Sequence, residues 1–301
     1  MGRVGMIEVD SAPNPQAVSE TPRTEALPHI ADTPLGVIFR RTLLDNMVSI
    51  LSWGLGYSVL IVLVVVLYPS MQQQGTLLAL LRGMGLLNTL TNEFNVEALV
   101  QLPGYLAVQA MNWAPHVMAV FVIPQAMAAI SGEERRGTLD LLLSAPIPRW
   151  RLLTEKTLAT VVSLFAILFI MWLSLFISTR LMPGAEMDTT RSIAVIWHVA
   201  PISLVMLMLT LFFSVLLRNS RTAAGVAVVI VISSYFLRAI ADISKTDFLV
   251  FLKNFSIFNY YRSIAVGAEG FQVPQDAIML TLALVLFVLA LVAFQRRDIG
   301  V

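Results

Sequence analysis

Between two long apolar runs, the chain reads Glu133-Glu134-Arg135-Arg136-Gly137-Thr138-Leu139-Asp140-Leu141-Leu142-Leu143-Ser144-Ala145-Pro146. Gly137 is a helix breaker, Thr138 can cap a new helix, and Pro146 stops it. A helix this short cannot cross a bilayer. The sequence therefore predicts a short helix in the water phase that connects two membrane spans.

The leucines of this short helix share one face. Leu139, Leu142 and Leu143 lie three and four residues apart, which brings them together on a helix surface. Two interpretations stay open. The helix rests on the lipid headgroups as an amphipathic segment, or it is a coupling helix that docks into a cleft of a partner protein.

The composition is that of a membrane protein. The chain has 301 residues, of which 57% are hydrophobic and 13% charged, whereas a soluble domain carries roughly 25% charged residues. Its net charge of +1 gives no reason to expect a nucleic-acid partner. Because the chain has no cysteine, disulfides and cysteine-based metal sites are excluded.

Six apolar stretches are long enough to cross a bilayer, which takes roughly 20 helical residues. Backbone groups in lipid must be paired within the segment, so these stretches are predicted to be helices. They are residues 50–68, 105–130, 152–177, 193–217, 222–240 and 277–294. Residues 34–301 are therefore predicted to form one six-span domain of the all-α class. Residues 1–33, with scattered prolines and no apolar run, are predicted to be a disordered tail.

Helices are also predicted outside the spans. The run Asp32-Thr33-Pro34 has the pattern of a helix start. An apolar stripe at helical spacing follows it and predicts an amphipathic interfacial helix, with the members Leu35, Ile38, Phe39, Leu43 and Met47. Residues 76–90 are apolar but short and contain Arg82, Gly83 and Gly85. They are predicted to form an outer interfacial or re-entrant helix and not a further span.

The orientation follows from the basic residues. If both termini are cytoplasmic, the inner segments hold more Lys and Arg than the outer ones, many of them next to span ends. Cytoplasmic segments carry this excess in membrane proteins. Both termini and the loop of residues 133–150 are therefore predicted to be cytoplasmic.

A family resemblance rests on that loop. The run Glu134-Arg-Arg-Gly137-Thr138-Leu139-Asp-Leu-Leu142-Leu143-Ser-Ala-Pro146-Ile-Pro-Arg149, continued by Leu153-Thr-Glu-Lys156, is similar to the signature after the second span of exporter-type ABC permeases of the second class. Members show an acid, a basic residue, Gly-Thr-Leu, a leucine pair, a proline and a lysine in this order. The outer run from Phe255 to Gly267 is also similar, except that Ile257 stands where related chains often have proline.

The resemblance implies the transmembrane subunit of an ATP-driven transporter, by preference an exporter, in a prokaryotic cytoplasmic membrane. Such a chain pairs with a second permease, identical or homologous, and with two cytoplasmic subunits that bind Mg-ATP. The residues implied to couple the chain to these subunits are Glu133, Glu134, Arg135, Arg136, Gly137, Thr138, Leu139, Leu142, Leu143 and Pro146. Since the dipeptide Gly-Lys does not occur, the chain has no phosphate-binding loop of the Walker type, and no cofactor is expected on it.

Polar residues in the second span are candidates for a transport path. Gln109, Asn112 and His116 lie at i, i+3 and i+7, with Pro115 and Pro124 as points where the helix can kink. Polar residues at membrane depth face protein or a cavity. They either bond neighbouring helices together or line a path at the seam between two permease chains. A path without an intramembrane acid suits a lipid-like or amphiphilic substrate better than a cation.

Two other classes compete with transport. An intramembrane enzyme is disfavoured because His-Glu-x-x-His and Gly-x-Ser-x-Gly are absent, so no catalytic residues are expected. The three scattered histidines do not predict a metal site, and His198 is predicted to be a packed residue. A subunit that anchors or transmits force through the same coupling helix, and moves no solute, is not separated from a transporter by the sequence.

The outer end of the chain offers two local predictions. Arg238 and Asp242, at i and i+4, are predicted to form an ion pair at the end of the fifth span. The loop before the last span is aromatic, with Phe248, Phe251, Phe255, Phe258, Tyr260 and Tyr261. It either folds over the outer end of the path as a lid or belongs to an ordinary aromatic belt.

Overall fold

A computed structural model describes residues 36–73, 101–135, 148–217, 220–244 and 246–296. In these ranges the chain is helical with no strand, which confirms the all-α prediction. The predicted tail of residues 1–33, the outer helix of residues 76–90 and the leucine-faced helix after Gly137 lie outside the described residues.

The described part contains eleven α-helices and two short helical segments of other types. They are α1 (Val37–Asp45), α2 (Met47–Gln73), α3 (Leu102–Leu106), a π-helix (Ala107–Met111), α4 (Ala114–Arg135), α5 (Arg149–Leu181), α6 (Thr189–Trp197), α7 (Val199–Leu216), α8 (Ser220–Ser244), α9 (Asp247–Lys253), a 3₁₀ turn (Ile257–Asn259), α10 (Ser263–Glu269) and α11 (Val273–Arg296).

Five helical stretches of the described chain are long and apolar enough to cross a membrane, or six if a bent pair is one span. The pair is Leu102–Met111 and Ala114–Ala129, bent by 44°. We number the spans in chain order, with α3, the π-helix and α4 as the second and with α6 and α7 as the fourth. The inner end of the bundle is the end at which α4 finishes and α5 begins, and the outer end is the opposite one.

Two spans are less regular than the hydropathy pattern predicts. The second span starts at Leu102 and is interrupted at Asn112 and Trp113 instead of running straight over 105–130. The fourth starts at Thr189, and its helix is interrupted at His198. Hydropathy registers the apolar run but carries no information on helix continuity, so both interruptions were invisible to it.

The fourth span is the centre of the bundle. Its most apolar window is 78% buried, compared with 22% for the windows of the fifth and sixth spans. α7 packs against α11 on one side and α4 on another, while α2 packs against α5. A helix that is apolar all round belongs in such a position, because it needs no polar face toward water.

The junction between α10 and α3 is tight. A Cβ added at Gly267 would lie 2.8 Å from Pro103 O and 3.0 Å from the Ala107 Cβ. We expect Gly267→Ala to lower the free energy of unfolding by about 1–3 kcal/mol, the usual cost of overpacking. Thermal unfolding of the purified chain in detergent measures this.

The matched control is Gly56→Ala in α2, where nothing lies within 4 Å of the added Cβ. A helical glycine in open space should gain stability from alanine, by up to about 1 kcal/mol. Equal midpoints for the Gly267 and Gly56 variants would contradict the packing of α10 against α3.

Candidate functional site

The structure gives the two ends of the predicted coupling loop. α4 carries Glu133, Glu134 and Arg135 in its last turn, and α5 begins at Arg149. The other coupling residues lie outside the described part of the chain, and they are Arg136, Gly137, Thr138, Leu139, Leu142, Leu143 and Pro146. Their role in coupling therefore stays a prediction.

A buried lysine ties the two ends of the loop together. The Lys156 Nζ in α5 donates to the Ala129 carbonyl oxygen in α4 at 3.2 Å, and Lys156 is only 8% exposed. A buried ammonium group is costly unless its donors are bonded. The contact therefore holds the start of α5 against the end of α4, on either side of the loop.

One carboxylate joins α5 to the start of α1. The Glu155 oxygens accept from the Gly36 amide at 3.3 Å and the Phe39 amide at 3.1 Å. The Arg151 Nε lies 2.8 Å from the same carboxylate. α1 has no capping side chain of its own. Glu155 therefore pairs free N–H groups at the start of α1, and its negative charge interacts favourably with the positive end of the α1 dipole.

A second polar contact holds the other end of α1. Asn46, which follows α1 directly, donates from Nδ2 to the Ser163 hydroxyl of α5 at 3.2 Å. Both residues are buried, whereas α1 itself has no buried residue. The position of α1 on α5 therefore depends more on these two polar contacts than on apolar burial. That α1 lies on a membrane surface stays a prediction.

The three predicted path residues lie in different surroundings. Gln109 and Asn112 are exposed on the bundle surface. His116 is turned inward, with its ring 4.7 Å from that of Tyr235 and 5.1 Å from that of Phe258, and both ring nitrogens are shielded from solvent. The π-helix and the bend disturb the i, i+3, i+7 register, so the structure does not give the three residues one common face. Their role in a path stays a prediction.

Two tyrosines brace the break in the second span. Pro115 has no N–H, so the Met111 carbonyl lacks the donor that a continuous helix would provide. The Tyr261 hydroxyl donates to Met111 O at 2.6 Å, and the Tyr57 hydroxyl donates to Ala110 O at 2.7 Å. Both bonds come from residues outside the second span, so these two carbonyl groups at the break are paired.

Tyr261 belongs to a turn that folds back into the bundle. After the fifth span the chain reverses and runs back along it, so that the Ser256 hydroxyl donates to Ser234 O at 2.7 Å and the Ile257 amide donates to Ser234 Oγ at 2.8 Å. Ser234 precedes the end of α8 by about ten residues, which is about 15 Å of helix. We call residues 256–262 the inserted turn.

Arginine and histidine side chains hold the inserted turn. Arg238 of the fifth span donates to the Phe258 and Tyr261 carbonyl oxygens at 2.6 and 2.8 Å. The Arg262 amide donates to the His198 Nε2 at 3.0 Å. Since Nε2 accepts, the proton of neutral His198 is on Nδ1, which lies 2.7 Å from the Asp276 Oδ1 of the sixth span. His198 is thus a packed residue, as predicted.

The aromatic residues of the outer loop differ in burial, and Tyr260 is half-buried. Phe258 and Tyr261 are 2% and 1% exposed, whereas Phe248, Phe251 and Phe255 are each at least 60% exposed. Burial raises the pKa of the Tyr261 hydroxyl well above its ordinary value, so it stays a hydrogen-bond donor.

The predicted ion pair of Arg238 and Asp242 is confirmed, with 3.6 Å between the Arg238 Nε and the Asp242 Oδ2. The Lys253 Nζ pairs with the same carboxylate.

Sequence reasoning missed Glu155, Ser163 and the partners of His198. Glu155 lies 119 residues from Gly36 in the chain, so no local spacing connects them. Pro115 indicated a possible break in the second span, but nothing in the sequence indicated that Tyr57 and Tyr261 bond to it. In the described part of the chain, no group of three His, Asp or Glu side chains could hold a metal ion.

Comparison with known families shows which family the chain matches. A family model described as "ABC-2 family transporter protein" matches residues 37–299. It covers both ends of the coupling loop, the bent second span and the inserted turn. No curated protein sequence matches the chain at a significant level.

Proposed function

The chain belongs to the ABC-2 transporter family, and from this premise we propose that it is the permease subunit of an ATP-driven exporter. Two separate cytoplasmic subunits bind Mg-ATP and dock on residues 133–150. The chain pairs with a second permease, identical or homologous, and substrate passes at the seam between them. The complex lies in a prokaryotic cytoplasmic membrane with both termini of the chain in the cytoplasm.

The frame of the coupling loop is the main structural support for this proposal. A loop that receives force must be attached to elements that can carry it. Lys156 holds α5, which follows the loop, against α4, which precedes it. Glu155 attaches α5 to α1. Movement of residues 136–147 would therefore reach α4, α5 and α1 together.

Closure of the ATP-binding subunits on nucleotide supplies that movement. A ligand shifts a conformational equilibrium only by binding two states with different affinity. ATP binds the closed pair of subunits better, and the docked loop follows them. α4 is the inner part of the bent second span, so its displacement changes the angle at the break and the surface that carries Gln109 and Asn112.

The exposed amides in the second span support a path for an amphiphile. Gln109 and Asn112 are polar and exposed in an otherwise apolar helix, and such residues face a cavity or another protein chain in a membrane. Neither carries a charge. A lipid-like substrate with a polar group suits this lining better than a bare cation.

The test is mild-detergent purification of the tagged chain from its native membrane, followed by mass spectrometry and ATPase assays in proteoliposomes. We expect a stoichiometric soluble ATPase, and a second permease sequence if the seam is heterodimeric. Hydrolysis stimulated by an amphiphile supports transport. Hydrolysis that responds only to an outer protein partner would replace transport by force transmission, and absence of any ATPase would overturn the proposal.

A further inference from the structure

The inserted turn is the point where most spans meet at the outer side. It is bonded directly to the second span through Tyr261, to the fourth through His198 and to the fifth through Ser234 and Arg238. The sixth span reaches it through Asp276, which faces His198. At the depth of Ser234, about 15 Å from the end of α8, these contacts replace water as partners of the backbone groups.

We propose that Tyr261 and His198 are positioning residues that keep the inserted turn seated on the break of the second span, closing the outer end of the bundle. The proposal rests on the proposed function for the existence of a path that the turn closes. Seating and release of the turn are properties of this chain alone.

The break in the second span gives Tyr261 its role in holding the inserted turn. Met111 O has no donor in its own helix because of Pro115, and Tyr261 supplies one. If the turn leaves, that carbonyl must find water. Release of the turn would therefore let water reach the break, and the seated turn keeps this carbonyl bonded to Tyr261.

His198 holds Tyr261 in place from the other side. Its ring stacks on the Tyr261 ring at 4.9 Å with 13° between the planes, and its Nε2 accepts from the next residue, Arg262. Its Nδ1 lies 2.7 Å from the Asp276 Oδ1 of the sixth span. The charged and titratable groups around this pair include Asp276, Arg262, Tyr57 and, beyond Tyr261, Arg238.

The test uses the absence of cysteine from the chain, which makes one introduced cysteine the only thiol. The reporter is Val231→Cys, one turn inward of Ser234 and 5% exposed. Right-side-out vesicles are treated with a membrane-impermeant maleimide, and the labelling rate is measured. Glu186→Cys, at an exposed site that lines an outer cavity, is the reference for free access.

We expect slow labelling of Val231→Cys and about tenfold faster labelling when Tyr261→Phe is added, the factor expected for loss of one buried hydrogen bond. The matched control is Tyr260→Phe in the same loop, whose hydroxyl donates to Asn254 O at an exposed site. It should leave the rate unchanged. In the fourth span, adding His198→Leu should also raise the labelling rate of Val231→Cys. His198→Gln keeps a hydrogen-bond acceptor and a donor, so it should raise that rate less.

The outcomes separate this inference from the proposed function. An unchanged rate in a folded Tyr261→Phe variant would overturn the seating role, as would labelling of Val231→Cys as fast as Glu186→Cys. Equal rates for the Leu and Gln variants would remove His198 from the proposal. If the labelling behaves as expected but no ATPase copurifies, the inserted turn stands and the exporter assignment falls.

Discussion

The double substitution Leu142→Asp and Leu143→Asp is expected to abolish binding of the ATP-binding subunit while leaving membrane insertion intact. Full burial of one leucine side chain contributes about 1.5–3 kcal/mol, so losing two costs at least about a hundredfold in affinity. Placing carboxylates in an apolar groove adds a desolvation cost. Copurification of the ATPase with the tagged variant, normalised to the amount of membrane-inserted chain, measures the loss.

Leu141→Asp is the matched control for this substitution. Leu141 is adjacent in sequence, but in the predicted helix it would lie on the opposite side from Leu139, Leu142 and Leu143. It should retain binding. Loss of binding in the control would point to general damage of the loop, and retained binding in the double variant would mean that the helix is only a lipid-surface anchor.

Glu155→Gln is expected to detach the start of α1 from α5. The carboxylate accepts two backbone N–H groups and the Arg151 guanidinium, and hydrogen bonds to charged groups contribute about 1.5–3 kcal/mol each. The glutamine amide would keep only part of this stabilisation. Hydrogen exchange of the Gly36 and Phe39 amides should accelerate by roughly tenfold or more, which mass spectrometry of that peptide detects.

The same variant tests whether α1 belongs to the coupling unit. If it does, the assembled complex should still hydrolyse ATP while transport per ATP falls, because the start of α1 is no longer bonded to α5. Glu186→Gln, at an exposed outer position, controls for loss of a carboxylate as such. Faster exchange with unimpaired transport would show that α1 is attached to α5 without taking part in coupling.

The spans were predictable because the bilayer leaves few choices. A long apolar run in lipid has to form a helix, so the fifth span predicted at 222–240 falls within the helix Arg221–Ser244. Apart from the fourth span, whose helix ends at Leu216, the helices extend beyond the predicted ends because polar residues near those ends lower the mean hydropathy. The ion pair of Arg238 and Asp242 was predictable because both residues lie on one helix face.

The contacts that organise the candidate site were not predictable in the same way. The carbonyl groups at the break in the second span are bonded by the hydroxyl groups of Tyr57 and Tyr261, which approach from other parts of the chain. His198 acquires its role from Arg262 and Asp276, two residues far away in sequence. Such pairs leave no periodic signal, and a single sequence contains no record of which residues meet.

The enclosed position of the fourth span has a consequence for biosynthesis. α7 is complete at Leu216, but α11, against which it packs most extensively, ends at Arg296. A ribosome adding about 5–20 residues per second needs roughly 4–16 s for the intervening segment. During that interval the future centre of the bundle lies against lipid or the insertion machinery, so slowing translation after Leu216 should make the nascent chain more vulnerable to quality-control proteolysis.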